Sequence, residues 1–431
     1  MRLSGPSGGA VRLDDVRRAP PLATLGGVAT SGIYGLRLLR TPRVQRTVVV
    51  VVLAIVLAFR ALQLVGFAGQ IQWGYDFSAY WQAARNVLDG LPIYTDAQLA
   101  GTYSPQQQYL YLYPPFLAVA VTPLAALFPT DYRLANVVWA AIGAVLATLV
   151  VVGVARRERI VERRDVILLV GAAFAFPPVI GELVMGNVNL ILLGLLGGAW
   201  LAIREGDRRG MPELAGILVG AATIIKVFPA IVILWFLLRR RYRSAAWAVI
   251  AMAALALVTL PFTGITPWRE YPQVLLNLGA PVDTTDTIAP TVWLSTVMPP
   301  AVARIVVVIA CLTAVLWASR REAEPVSYAV AVVASVLIAP ALYHHYLAIF
   351  VLPLLLALRW APPWIWVAVV YLLMFGGEQA AFGDSGWLIN RVLPTLGAVG
   401  LLIVLLVRGT RLGGGAGDET LPDATNAPEP A

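Results

Sequence analysis

Residues 221–235 read AATIIKVFPAIVILW and hold the only lysine of the chain, Lys226. The other strongly basic residues are arginines, gathered mostly in short polar joints. A charged side chain at membrane depth costs about 2.5–3.5 kcal/mol on insertion scales, so its placement in a long apolar run calls for a reason. Val227, Phe228 and Pro229 follow directly. Proline cannot donate to the helix ladder, and it disfavours helix at the residue before it, so the run 213–239 is expected to break near Lys226–Pro229.

The rest of the chain sets the medium in which that lysine sits. Of 431 residues, 59% are hydrophobic and 13% charged, with a mean hydropathy of +0.77. Soluble domains carry roughly 25% charged residues, so the apolar runs that recur from 47 to 407 read as membrane-spanning helices. The net charge of +8 then belongs to topology, since short cytoplasmic joints are rich in arginine and lysine. No basic run interleaved with aromatics lies outside the apolar segments, which argues against a nucleic-acid partner. Cys311 is the single cysteine, so an intramolecular disulfide and a CxxC metal or redox site are excluded.

The arginine clusters serve as a ruler. The first 46 residues contain eight arginines and read as a disordered cytoplasmic arm ahead of a first span, TVVVVVLAIVLAFRALQLVGF (47–67). Residues 408–431 read as a disordered cytoplasmic tail that cannot bury a core. RRERIVERRD (156–165), REGDRRG (204–210), RRRYR (239–243) and SRREAE (319–324) are placed on the cytoplasmic side. That placement makes 116–129, too short to cross, an outer juxtamembrane segment and 134–155 the second span. Spans follow at 166–182 and 187–203, with 213–239 folded as a hairpin of two short arms. Further spans are expected at 244–263, 301–318, 326–342, 345–358, 361–376 and 391–407. The expected fold is therefore an all-α integral membrane bundle of about 12 helices spanning 47–407, with both termini cytoplasmic. Asp76, Glu182, Asn187, Asn189, Lys226, His344 and His345 then fall on the outer face.

Several outer stretches carry chemistry, and each has a structural reading beside the functional one. Lys226 suits a single phosphate group as a point charge, or forms an ion pair with Glu182, or snorkels to the interface. WGYDFSAYWQAARNVLDGLPIY (73–94) offers Asp76 either as a general base or as a helix N-cap, with Gly90 closing the helix. Tyr80 and Trp81 fit an interfacial aromatic belt or a site wall. YLYPP (111–115) brings Tyr113 to an extended Pro-Pro helix entry. GELVMGNVN (181–189) sets Asn187 and Asn189 beside Glu182, as helix caps or as a polar pocket. His344 and His345 point about 100° apart if helical, which makes them poor joint metal ligands. Either could serve a phosphate as donor or proton carrier, or simply cap a turn. Asp283 and Asp286, in DTTD, lie in a loop without supporting ligands.

DFSAYWQAARNVLDGLPIY, YPP, GNVN, IKVFP and HHY, in this order, resemble glycosyltransferase family 87, polyprenol-phosphate-mannose-dependent α-mannosyltransferases of the GT-C superfamily. The resemblance covers most of residues 70–360. It implies an inverting transfer from a polyprenyl-phosphate sugar donor to a glycolipid or glycan acceptor at the lipid bilayer, on the outer face of the cytoplasmic membrane, without cofactor or essential metal. It also implies Asp76 as general base and Lys226 at the donor phosphate. One of His344 or His345 would touch phosphate or sugar, with Asn187 and Asn189 also lining the donor site. PTVWLSTVMPP (290–300) departs from the Asn-Gln-Ser-rich stretch of some relatives and leaves the acceptor undefined. A multispan lipid or sugar-lipid carrier is the competing class, and such carriers often show internal repeats. The outer segment after the first span has no counterpart in the second half. Within the transferases, arabinose or another sugar is the alternative to mannose.

Overall fold

The computed structural model describes residues 42–101, 109–209, 211–278, 287–375 and 388–409. In chain order it forms α1 (Pro42–Phe67), α2 (Tyr75–Leu88), α3 (Asp96–Ala100), α4 (Pro115–Leu127), α5 (Tyr132–Arg157), α6 (Val166–Ala175), α7 (Pro177–Met185), α8 (Asn189–Arg209) and α9 (Pro212–Ile225). These are followed by α10 (Ala230–Leu238), α11 (Tyr242–Thr263), α12 (Thr266–Asn277), α13 (Pro290–Leu294), α14 (Pro300–Arg321), α15 (Glu324–Leu337), a tight 3-10 turn (His344–Phe350), α16 (Val351–Trp360), α17 (Ile365–Leu373) and α18 (Leu393–Arg408). No β-strand occurs among the described residues.

The chain divides into two units, 1–52 and 53–431. Of the first, the described part is the start of α1. Helix begins there at Pro42, inside the arginine-rich arm expected over 1–46, and Val48, Val49, Val50, Val51 and Val52 are exposed. Contiguous exposed valines on a helix of this hydropathy are a lipid-facing surface. The rest of the expected arm, the tail from 410 on, Asp283 and Asp286 lie outside the described residues.

Five described helices are long and apolar enough to cross a bilayer: α1, α5, α11, α14 and α18. The pair α6–α7, bent by 62°, makes a sixth if it counts as one span. This differs from the expected twelve because the remaining apolar helices, among them Asn189–Ile203, Glu324–Leu337 and His344–Trp360, are shorter than a span, and proline divides two further runs. Pro177 and Pro229 interrupt apolar runs and leave helices of 10 and 9 residues (α6 and α7) and of 14 and 9 residues (α9 and α10). At about 1.5 Å per residue none of these crosses about 30 Å of hydrocarbon alone. The expected break between 225 and 230 is present, and the expected juxtamembrane segment is α4, a 13-residue helix entered through extended Pro114 with Pro115 at its first position.

The centre of the second unit is α15, whose residues from Pro325 to Leu337 are all buried, together with the 3-10 turn and most of α16. Trp235 Nε1 donates to Ser327 Oγ at 3.0 Å, and Tyr328 donates to the Leu196 carbonyl at 2.8 Å. At the arginine-rich ends, Arg239 donates to the carbonyls of Ser319 and Glu322, and Glu158 accepts from the indoles of Trp200 and Trp360. These polar groups of the apolar bundle find partners within it.

One packing detail decides where Lys226 goes. Gly216 and Gly220 of α9 lie against α11 so closely that a side chain on them would overlap the backbone carbonyls of Ser244 and Ala248. Small residues four apart let two helix backbones approach in a medium where water cannot drive them together. Because α9 ends at Ile225, this contact sets the position of the residue that follows. Gly220→Leu is expected to lower stability by about 1–3 kcal/mol through overpacking, read as a fall in melting temperature in detergent. Leu257→Ala, on the exposed face of α11, is expected to leave it nearly unchanged.

Candidate functional site

Two glycine turns build the site. Gly74 (φ +70) precedes α2, and Gly186 (φ +69) follows α7. The Gly74 N–H donates to the Val184 carbonyl at 2.7 Å, which ties the two turns together. Both lie against Asn136 of α5, and a Cβ on Gly186 would overlap the Asn136 amide oxygen. The first turn delivers Asp76 into the opening turn of α2, and the second delivers Asn187. Asp76 is not a cap, since the N-cap position is Gly74 and no side chain caps this helix. Gly90 (φ +67) closes α2 as expected.

Asn187 is the hub. Its Nδ2 donates to Asp76 Oδ2 at 2.8 Å and to Tyr113 Oη at 3.1 Å. Its Oδ1 accepts from the Val188 N–H at 2.7 Å, from Asn189 Nδ2 at 3.1 Å and from Lys226 Nζ at 3.5 Å. Trp139 Nε1 donates to its backbone carbonyl at 3.1 Å. Lys226 also reaches Asn189 Oδ1 at 3.4 Å, and its ammonium stands 3.5 Å from the centre of the Tyr346 ring. The rings of Tyr113 and Phe228 lie at 5.4 Å. Such π faces favour a cation that has left water.

A Lys226–Glu182 ion pair, one of the alternative readings of the lysine, does not form within 4 Å among the described residues. Glu182, 1% exposed, instead accepts from the N–H groups of Asn189 and Leu190 and from Asn189 Nδ2. It therefore caps α8 from the preceding helix, a role the sequence suggested for an asparagine. Two free helix N–H groups and a carboxylate are natural partners.

The histidines separate. His345 Nε2 lies 3.3 Å from Asp76 Oδ2, while His344 Nε2 faces the Met374 carbonyl at 3.0 Å. His345 belongs to the cluster, and His344 points to another part of the bundle. Tyr80 is fully buried and packs edge-on against Tyr113 at 4.9 Å. Trp81 anchors α2 by donating to the Phe128 carbonyl at 2.9 Å, away from the cluster. Tyr346, Phe228 and Trp139 join the site without having been singled out in the sequence. The usable signal was adjacency, because Tyr346 follows the two histidines and Phe228 follows the lysine by two.

Asp76 Oδ2 is thus held by Asn187 and His345, and Oδ1 has no partner among the described residues. The side chain is 23% exposed. Burial raises its proton affinity, but His345 at 3.3 Å, with the Asn187 hydrogen bond and Lys226, outweighs burial and leaves the carboxyl below its ordinary value. No group of three or more His, Cys, Asp or Glu able to hold a metal occurs among the described residues.

Fold and site together define an all-α membrane protein in which a carboxylate and an ammonium are bound to opposite ends of one amide. The chain belongs to glycosyltransferase family 87, which residues 111–342, more than half its length, match. Tyr113, Glu182, Asn187, Asn189 and Lys226 lie inside the matched region. The chain is similar to the polyprenol-phosphate-mannose-dependent alpha-(1-2)-phosphatidylinositol mannoside mannosyltransferase of Mycolicibacterium smegmatis, 28% identical over 236 residues, covering 47% of this chain and 50% of that one. It is also similar to the protein of the same name from Mycobacterium tuberculosis, 26% identical over 235 residues, covering 51% and 53% respectively. The chain thus spans about half the length of the curated relatives it matches.

The turn at Gly186 is expected to be the least replaceable part of this arrangement. Gly186→Ala forces a left-handed residue, costing about 1–2 kcal/mol, and drives a methyl group into Asn136. A lowered melting temperature together with lost activity is expected, whereas Gly90→Ala, which meets nothing within 4 Å, should lower stability only by the backbone cost.

Proposed function

We propose that this protein is an inverting membrane glycosyltransferase that moves a mannosyl-type sugar from a polyprenyl-phosphate donor to a lipid-linked or glycan acceptor. The observation that carries this reading is the Asn187 amide bound at one end to Asp76 and at the other to Lys226. Such a site presents a base and a phosphate-binding cation a few ångströms apart, in a bundle whose surroundings suit a lipid tail. The acceptor hydroxyl gives its proton to Asp76 Oδ1 as its oxygen attacks the anomeric carbon. The bond to phosphate breaks on the opposite face, which inverts the configuration. Lys226 stabilises the charge that gathers on the departing polyprenyl phosphate, and a preplaced cation does so without reorganising. His345 orients the carboxylate through Oδ2.

Mannose is the sugar of choice because both relatives are named for a polyprenol-phosphate-mannose donor. Their names also make a phosphatidylinositol mannoside the first acceptor to try. In this reading the catalytic domain is 47–407, a GT-C-type bundle in which the shorter apolar helices complete about twelve membrane segments. Helices α2, α3 and α4 then lie on the outer face of the cytoplasmic membrane, and both termini are cytoplasmic.

Transfer of labelled mannose from polyprenyl-phosphate-mannose in nanodiscs tests the assignment. Asp76→Asn is expected to lower kcat by about 10²–10⁴ with donor binding retained. Lys226→Gln is expected to lose about 10²–10³ and to weaken donor binding. Full activity in Asp76→Asn would remove it as the base. Transfer of arabinose or another sugar in place of mannose would redefine the donor.

The pH profile carries a sign. A carboxyl held below its ordinary value stays ionised as pH falls through about 4 and loses its charge only below that. The donor kcat/KM is therefore expected to keep its plateau down to the ordinary carboxylate range and to fall beneath it. His345→Gln, which removes the charge but keeps a donor, should move that acid limb to higher pH.

A further inference from the structure

The Asn187 amide has no hydrogen-bonding capacity left. Both of its N–H groups are given, to Asp76 Oδ2 and Tyr113 Oη, and its oxygen takes three donors, Val188 N–H, Asn189 Nδ2 and Lys226 Nζ. It is 4% exposed. Asn189 likewise gives both hydrogens, to Glu182 and Asn187, and accepts from Lys226. An amide that is saturated by its own protein is a poor ligand for a substrate. It can still act through its neighbours, because each bond polarises the next in a low-dielectric setting.

We infer that Asn187 is a positioning residue that couples occupancy of the Lys226 phosphate subsite to the proton affinity of Asp76. The inference rests on the proposal that Lys226 receives the donor phosphate. In the empty site the ammonium draws on the Asn187 oxygen, which sharpens the N–H bond to Asp76 and steadies its negative charge. A bound phosphodiester engages the ammonium through its own anionic oxygen. The pull on the amide relaxes, and the phosphate adds a negative charge near the carboxylate. Asp76 then holds a proton more readily, so the base strengthens when the donor arrives. The other titratable groups facing Asp76 are His345 and Tyr346 from the 3-10 turn, Tyr75 and Tyr80 from α2, Tyr113 ahead of α4, and Glu182 from α7. The buried tyrosines stay neutral across the acid range, which leaves His345, Glu182 and Lys226 itself as the groups the experiment must separate from Asp76.

By linkage, a ligand that raises proton affinity must itself bind more tightly when the proton is present. The test is calorimetric titration of the full chain in nanodiscs with a polyprenyl methyl phosphodiester, whose single charge does not titrate in this range. Proton uptake is read from the difference between buffers of unlike ionisation enthalpy. Wild type is expected to take up protons at about pH 4 and to bind about 5-fold more tightly there than at about pH 5.5, a window in which the Lys226 ammonium stays charged. Asp76→Asn should bind with neither effect, which separates Asp76 from His345 and Glu182. Asn187→Leu should still bind with its uptake cut by about 10–30%, as the amide path is lost and only the through-space part remains. Asn187→Ser carries the same expectation should the leucine variant fail to fold. Binding with no uptake in wild type, or undiminished uptake in a folded Asn187 variant, would overturn the coupling and leave the transferase reading standing. Absence of binding by wild type would remove the phosphate subsite and the coupling with it.

Discussion

A carboxylate and an ammonium held in the same apolar bundle attract each other strongly. At about 4 Å and an effective dielectric near 20, that attraction is about 4 kcal/mol. Were Lys226 and Asp76 to close on one another, the base would be blocked and the cation neutralised. Asn187 prevents this by occupying the space between them and satisfying each with a different end of one amide. The rest of the site can be understood as what is needed to keep that amide in place. The Val188 N–H and Asn189 fix its oxygen, Tyr113 takes its second hydrogen, and Trp139 holds its backbone.

The scaffold reaches this point through breaks in helices and not through their continuity. Proline ends the apolar run that would otherwise have carried Lys226 past the site, and the Gly216–Gly220 contact with α11 places the end of α9. Two left-handed glycines, bonded through the Val184 carbonyl, bring α2 and the start of α8 side by side. Helical backbone must be broken somewhere for polar side chains to converge, and in an apolar medium each break needs internal partners for the freed groups. Here the partners are the site residues themselves, so local folding and site assembly are the same event.

Much of this was legible in the sequence. The apolar composition gives the all-α membrane class, the Lys-Val-Phe-Pro stretch gives the break, and Tyr-Pro-Pro gives the entry to α4. Asp76, Asn187, Lys226 and Tyr113 are scarce polar or aromatic groups in apolar surroundings, and they converge. The span count was not legible, because hydropathy measures how apolar a run is and not how long its helix continues before a turn ends it. Nor were partner identities. Glu182 and the two asparagines sit within eight residues, and only the turn at Gly186 between α7 and α8 decides which of them meets the helix start. The two histidines differ by one position, so their directions depend on the tight turn from His344 to Phe350, whose onset has no sequence marker.

The cap on α8 has one more consequence. A helix start is ordinarily a diffuse source of positive potential that welcomes anions through its N–H groups. Glu182 takes those groups and cancels that source from within. The attraction of the cleft for an anion is then concentrated on the Lys226 ammonium, behaving as a point charge and not as an extended dipole. A point source discriminates by charge and distance far more than by the shape of the group it holds. The phosphate end of a ligand is accordingly read for its charge, and recognition of its form is left to the walls around it.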